Sequence, residues 1–75
     1  MSEKLPRVSA AKVIAVLERL GFVLARQSGS HKVYKSKEGK RVTVPWHPQQ
    51  ILHPKVLRSI LRDADLTVEK LKDLM

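Results

Sequence analysis

His31 follows Gly29 and Ser30 and opens an alternating basic stretch, Lys32-Val33-Tyr34-Lys35, in a chain with 15 Lys and Arg against 7 Asp and Glu. An imidazole titrates near neutrality. Beside a phosphate-attracting surface it can take a proton from a ribose 2′-hydroxyl, or return one to the leaving 5′-oxygen, without a metal. These residue types together point to RNA cleavage. The plainer role for a lone histidine is a cap or a hydrogen-bonded structural group, and spacing by itself leaves both open. Gly29 and Ser30 divide in the same way. Ser28-Gly29-Ser30 is ordinary turn chemistry, while a glycine also lets backbone approach a phosphate and the Ser30 hydroxyl can hydrogen-bond one.

A second group of candidates lies in Pro45-Trp46-His47-Pro48, which holds the single tryptophan of the chain. An indole on such a loop can stack on an unpaired base for roughly 1 to 3 kcal/mol, although a solitary tryptophan in a small domain also serves as core filler. His47 could pair with His31 as acid and base. It ranks behind His31, and His53 ranks lower because it precedes a helix start. No metal is expected: His47 and His53 stand six apart across a proline-bearing loop, unlike the i, i+4 pairs of helical zinc sites. A nucleophile elbow, a Walker-type glycine loop and a dinucleotide fingerprint are all missing from the sequence. Lys55, Arg58 and Arg62 recur at i, i+3 and i+7, one side of a helix, where they can meet phosphates or simply face water.

The elements that must position these residues can be read from periodicity. Ser9 is a plausible N-cap for a helix through Ala10, Val13, Ile14, Leu17 and Leu20, which Gly21 stops. From Phe22 to Ser28 the pattern becomes strand-like, with Phe22 and Leu24 alternating against Val23 and Ala25. His31 to Ser36 makes a second strand, Lys37-Glu38-Gly39-Lys40 a hairpin connection, and Arg41 to Val44 a third strand ended by Pro45. Trp46 to His53 reads as a loop. Pro54 suits a helix's first turn, and Val56, Leu57, Ile60, Leu61 and Ala64 form its apolar stripe. Thr67 can cap a short last helix carrying Val68, Leu71 and Leu74. Asp63 and Asp65 oppose the macrodipole at the end of the second helix, and nothing in the sequence accounts for them.

In a period-2 strand His31, Val33 and Lys35 share one face, while Lys32, Tyr34 and Ser36 share the other. Tyr34 is the larger apolar body and is expected inward, which leaves His31 and Lys35 on the open face. Val33 also favours burial, and that choice would turn His31 inward. The order α-β-β-β-α predicts an α+β two-layer sandwich, similar to a double-stranded-RNA-binding domain, with residues 1–75 forming a single domain.

Composition sets the outer bounds. A domain of 75 residues buries only about 60% of the surface its unfolded chain exposes. With 43% hydrophobic and 29% charged residues the composition is that of a globular chain and not a disordered one. The formal net charge of +8 favours nucleic acid or an acidic protein as partner. A membrane is not expected, because the basic residues are spread along the chain and the longest apolar run, Val13 to Leu17, is far short of the roughly 20 residues that cross a bilayer. Without cysteine there is no disulfide framework, and a reducing, cytoplasmic setting fits.

Leu20-Gly21-Phe22, Gly29-Ser30-His31 with Tyr34, Val42-Thr43-Val44-Pro45 with His47, and Leu57-Arg58-Ser59-Ile60-Leu61 together resemble the HicA family of small toxins from toxin–antitoxin pairs. The most specific of these is Gly-Ser-His between a helix and a Val-Pro-x-His ending. The resemblance implies a double-stranded-RNA-binding-like fold, metal-independent ribonuclease activity on mRNA without a cofactor, a catalytic histidine at His31, and neutralisation by a HicB antitoxin. RNA would be held by Gly29, Ser30, Lys32, Lys35, His47, Lys55, Arg58 and Arg62. Two positions depart from the family pattern: Trp46 stands where a basic residue is common, and Asp65 where a glycine is common. The alternative to a nuclease is a non-catalytic RNA-binding module of the same fold.

Overall fold

The structure, a computed structural model, describes residues 4–47 and 49–75; Pro48, which borders the Trp46 loop, lies outside the described residues. Helix α1 (Ala10–Arg19) starts at Ser9, whose Oγ accepts from the Lys12 N–H at 3.2 Å. Its apolar stripe of Ala10, Val13, Ile14, Val16 and Leu17 is buried. The helix stops where the Gly21 N–H donates to the Glu18 carbonyl and the Phe22 N–H to the Leu17 carbonyl, both at 3.0 Å. This paired closure requires a left-handed residue between them, and Gly21 supplies it at φ 95°.

Strands β1 (Val23–Ser28), β2 (His31–Lys35) and β3 (Arg41–Pro45) form one antiparallel sheet in that order. Tyr34 pairs with Val42 and Lys32 with Val44. Tyr34, Val42 and Val44 are buried, so the large aromatic body takes the inward face. His31, Val33 and Lys35 therefore share the opposite face with their partners Pro45, Thr43 and Arg41.

Helix α2 (Pro54–Ala64) is capped by His53, whose Nδ1 accepts from the Lys55 N–H at 3.1 Å. Helix α3 (Val68–Leu74) is capped by Thr67, whose Oγ1 accepts from the Lys70 N–H at 3.0 Å. Between β3 and α2 the chain runs without a regular element among its described residues. It is tied back to the N-terminal segment by the Leu52 N–H donating to the Val8 carbonyl at 2.8 Å and by a bridge between Ser9 and Ile51.

The helices lie on one face of the sheet. Helices α1 and α2 rest on β3, and α3 rests on α1. Leu17, Leu57, Ile60, Leu71, Val13, Val16, Val42 and Val44 are fully buried in the single core this packing creates. The result is an α+β two-layer sandwich with the α-β-β-β-α order of double-stranded-RNA-binding-like domains, extended by α3. The helix layer does not reach across the sheet: every residue of β1 is exposed, Val23 and Leu24 included. None of the described helices is long and apolar enough to cross a membrane.

Candidate functional site

The turn that carries Gly29 and Ser30 is a two-residue hairpin loop, because Ser28 and His31 are cross-strand partners. Gly29 has φ 56° and Ser30 does not share the positive φ. A positive φ at the first central position alone is the type II′ pattern, for which glycine is favoured. His31 thus emerges at the first residue of β2, exposed, with Ser28 beside it on β1 and Pro45 on β3. The Trp46 N–H donates to the Ser30 carbonyl, which extends the β2–β3 ladder past Pro45 and pins the turn to the third strand.

Lys32 sits on the other side of the sheet. Its ammonium lies 3.7 Å from the centroid of the Trp46 ring, a cation–π contact at the margin of the core. Trp46 is partly buried against that core. One face of its indole is occupied, so the loop is braced against Lys32.

The open face has cations of its own. Lys35 and Arg41 are paired across β2 and β3. Arg26, which periodicity assigns to the same side as Leu24, is instead opposite Val33, because the register shifts by one residue between Leu24 and Arg26. Such a bulge flips every later side chain of the strand. It brings Arg26 and then Ser28 onto the His31 face. Neither Arg26 nor Arg41 stands out in the sequence, since no motif or helical spacing includes them. No residue of the three strands is acidic.

Lys55, Arg58 and Arg62 are exposed on α2, and Arg62 donates from Nη2 to the Ser59 Oγ at 3.3 Å. The buried stripe of α2 is Leu57, Ile60, Leu61 and Ala64, so at 3.6 residues per turn the three basic residues point away from the sheet. They and His31 therefore occupy opposite sides of the sandwich. His47 is exposed just beyond Trp46 and lines a cleft of about 320 Å³ with Pro45, Gln50, Ile51, Leu52, His53 and Val56. The tertiary structure brings His47 and His53 to one cleft, next to the strand partner of His31. No group of three metal-ligating side chains forms among the described residues.

A HicA toxin model, described as the HicA toxin of bacterial toxin–antitoxin systems, matches residues 10–66. The chain belongs to the HicA toxin family. A search of the curated proteins found no match. The matched span opens on the first residue of α1 and closes one residue beyond Asp65, so it contains the whole sheet, the Gly29-Ser30-His31 turn and α2, and α3 lies outside it. Membership in the HicA family makes this chain the toxin side of a toxin–antitoxin pairing.

Proposed function

We propose that this HicA-family toxin is a metal-independent endoribonuclease acting on mRNA in the cytoplasm, with His31 as its catalytic residue and a HicB-type protein as its antitoxin. The observation that carries the reading is the position of His31, exposed at the start of β2 on an open sheet face whose other charged residues are Arg26, Lys35 and Arg41. A cationic face attracts the phosphodiester backbone, and an exposed imidazole at its edge can reach a ribose hydroxyl.

In the proposed reaction the His31 imidazole takes the proton of the 2′-hydroxyl as that oxygen attacks the adjacent phosphorus. The bond from phosphorus to the 5′-oxygen breaks, and the 5′-oxygen receives a proton from the imidazolium. The products are a 2′,3′-cyclic phosphate and a 5′-hydroxyl. Cations on the same face hold the flanking backbone and steady the charge of the phosphorane. Lys35, four residues along β2 and about 13 Å from His31 at the rise of a strand, holds the flanking backbone. Lys32, on the opposite face, instead fixes Trp46 and through it the turn. Gly29 and Ser30 leave the approach to His31 narrow in backbone and small in side chain.

The test is incubation of the protein with a defined single-stranded RNA in EDTA, beside His31→Ala, followed by analysis of fragment ends. Cleavage should leave cyclic phosphates and fall by about 10² to 10⁴-fold in the variant, the range for loss of a general acid–base group. The variant removes an exposed side chain, so its thermal midpoint should match that of the parent. Binding without cleavage in both proteins would overturn the nuclease and leave an RNA-binding module.

A further inference from the structure

The most unusual feature of the open face is the shallow cleft of about 300 Å³ lined by Ala25, Arg26, Val33, Arg41 and Thr43. Two arginines border it, Arg26 from β1 and Arg41 from β3, on strands about 10 Å apart and offset by two residues along them. Among the described residues neither arginine is in an ion pair. Both charges border an uncharged floor, and an anion bound over it is attracted to each. The floor itself is apolar apart from the Thr43 hydroxyl, which can both donate and accept.

The bulge makes this cleft. An unbroken ladder from Leu24 would leave Arg26 beside Lys32 on the helix side, and the cleft would keep one arginine. The extra residue is Ala25, which has the smallest side chain of β1 and adds to the floor without filling it. Val33 lies two residues from His31 on the same face, a rise of about 7 Å along β2. The cleft is therefore one short step from the candidate catalytic imidazole.

We infer that this cleft is a nucleotide subsite. It takes one unit of single-stranded RNA next to the phosphate at His31, with Arg26 and Arg41 gripping phosphates on either side and the sugar and base lying over Val33 and Thr43. The choice of RNA rests on the nuclease reading; the chemistry of the cleft itself selects a phosphodiester flanked by an apolar ring. Guanidinium forks match phosphate oxygens in pairs, which a lysine does not do. A single strand can lay a base on the floor, whereas a duplex keeps its bases stacked inside.

The experiment uses the intact chain and a fluorescent 2′-O-methyl RNA hexamer, which binds but has no 2′-hydroxyl to attack. Arg26→Gln and Arg41→Gln should each weaken binding by about five-fold or more and reduce the salt slope by about 0.7. Lys72→Gln, on α3 and away from the sheet, makes the same charge change and should alter affinity less than about two-fold. Amide shift mapping with the same hexamer should mark Ala25, Arg26, Val33 and Thr43. Arginine variants that behave like Lys72→Gln, or shifts concentrated on α2 or on the His47 cleft, would overturn the subsite. So would loss of antitoxin binding with RNA binding intact, which would assign the cleft to a protein. Because the hexamer cannot be cleaved, failure of His31 catalysis leaves this measurement intact, and a cleaving enzyme with unaffected arginine variants would remove the subsite alone.

Discussion

Tyr34 shows how one side chain sets the orientation of a strand. Burying its ring turns His31 outward, and the same burial raises its phenol above the ordinary value of 10.0, with the negative charge of Glu18 adding to the effect. A raised phenol means that the fold favours the neutral form, so this contribution is fully present below pH 10 and is lost as pH rises through the folded value. Tyr34 is the sole tyrosine, so ultraviolet titration reports it alone. In the folded protein less than half of Tyr34 should be ionised at pH 10, with the far-ultraviolet dichroism unchanged. Half-ionisation at or below pH 10 with the fold intact would contradict the orientation.

Two helix ends in this chain close by the same device with different residues. At the end of α1 the left-handed position is Gly21; at the end of α2 it is Asp65, at φ 56° and ψ 48°. There the Asp65 N–H donates to the Arg62 carbonyl at 3.1 Å and the Leu66 N–H to the Leu61 carbonyl at 2.8 Å. This explains an aspartate that opposes the macrodipole: it serves as a turn residue, and short polar side chains tolerate the left-handed region better than most. Its carboxylate also lies 3.7 Å from the Lys40 ammonium, which Glu38 holds at 3.2 Å, in an exposed network of small energetic value. Asp65→Gly should therefore raise stability by about 0.5 to 1 kcal/mol, and Gly21→Ala should lower it by about 1 kcal/mol, read from urea midpoints at constant slope. A destabilised Asp65→Gly would show that the ion pair outweighs the backbone term. The caps Ser9 and Thr67 follow from sequence because capping depends on residues within one turn. The bulge at Ala25 does not, because a two-residue period carries no sign of an inserted residue until the partner strand is in place.

At the scale of the molecule the basic residues fall into two sets on opposite sides of a body whose shortest extent is 18 Å. His31, Lys35, Arg26 and Arg41 face one way; Lys55, Arg58 and Arg62 face the other. One short RNA cannot touch both without wrapping round the sandwich. An antitoxin that works by covering the site must then sit on the sheet and not on α2. In a complex with a HicB-type antitoxin, amide exchange should slow along β1, the Gly29-Ser30 turn and β2, with the outer side of α2 unchanged. Protection confined to α2, with the His31 face still open to RNA, would exclude occlusion as the means of neutralisation.

The sequence by itself determined the elements, their order and the caps Ser9 and Thr67, because each depends on near neighbours in the chain and on the periodicity of apolar residues; between Tyr34 and Val33 as the inward residue of β2 it left a choice that packing against the helices made. It also singled out His31 by type and context. Tertiary structure alone decided which cations share the His31 face. A one-residue bulge added Arg26, strand pairing added Arg41, the fold of the chain beyond β3 turned Trp46 onto Lys32 and brought His47 to His53, and helix packing set Lys55, Arg58 and Arg62 on the far side. Those placements depend on pairing between distant segments, which local spacing does not encode.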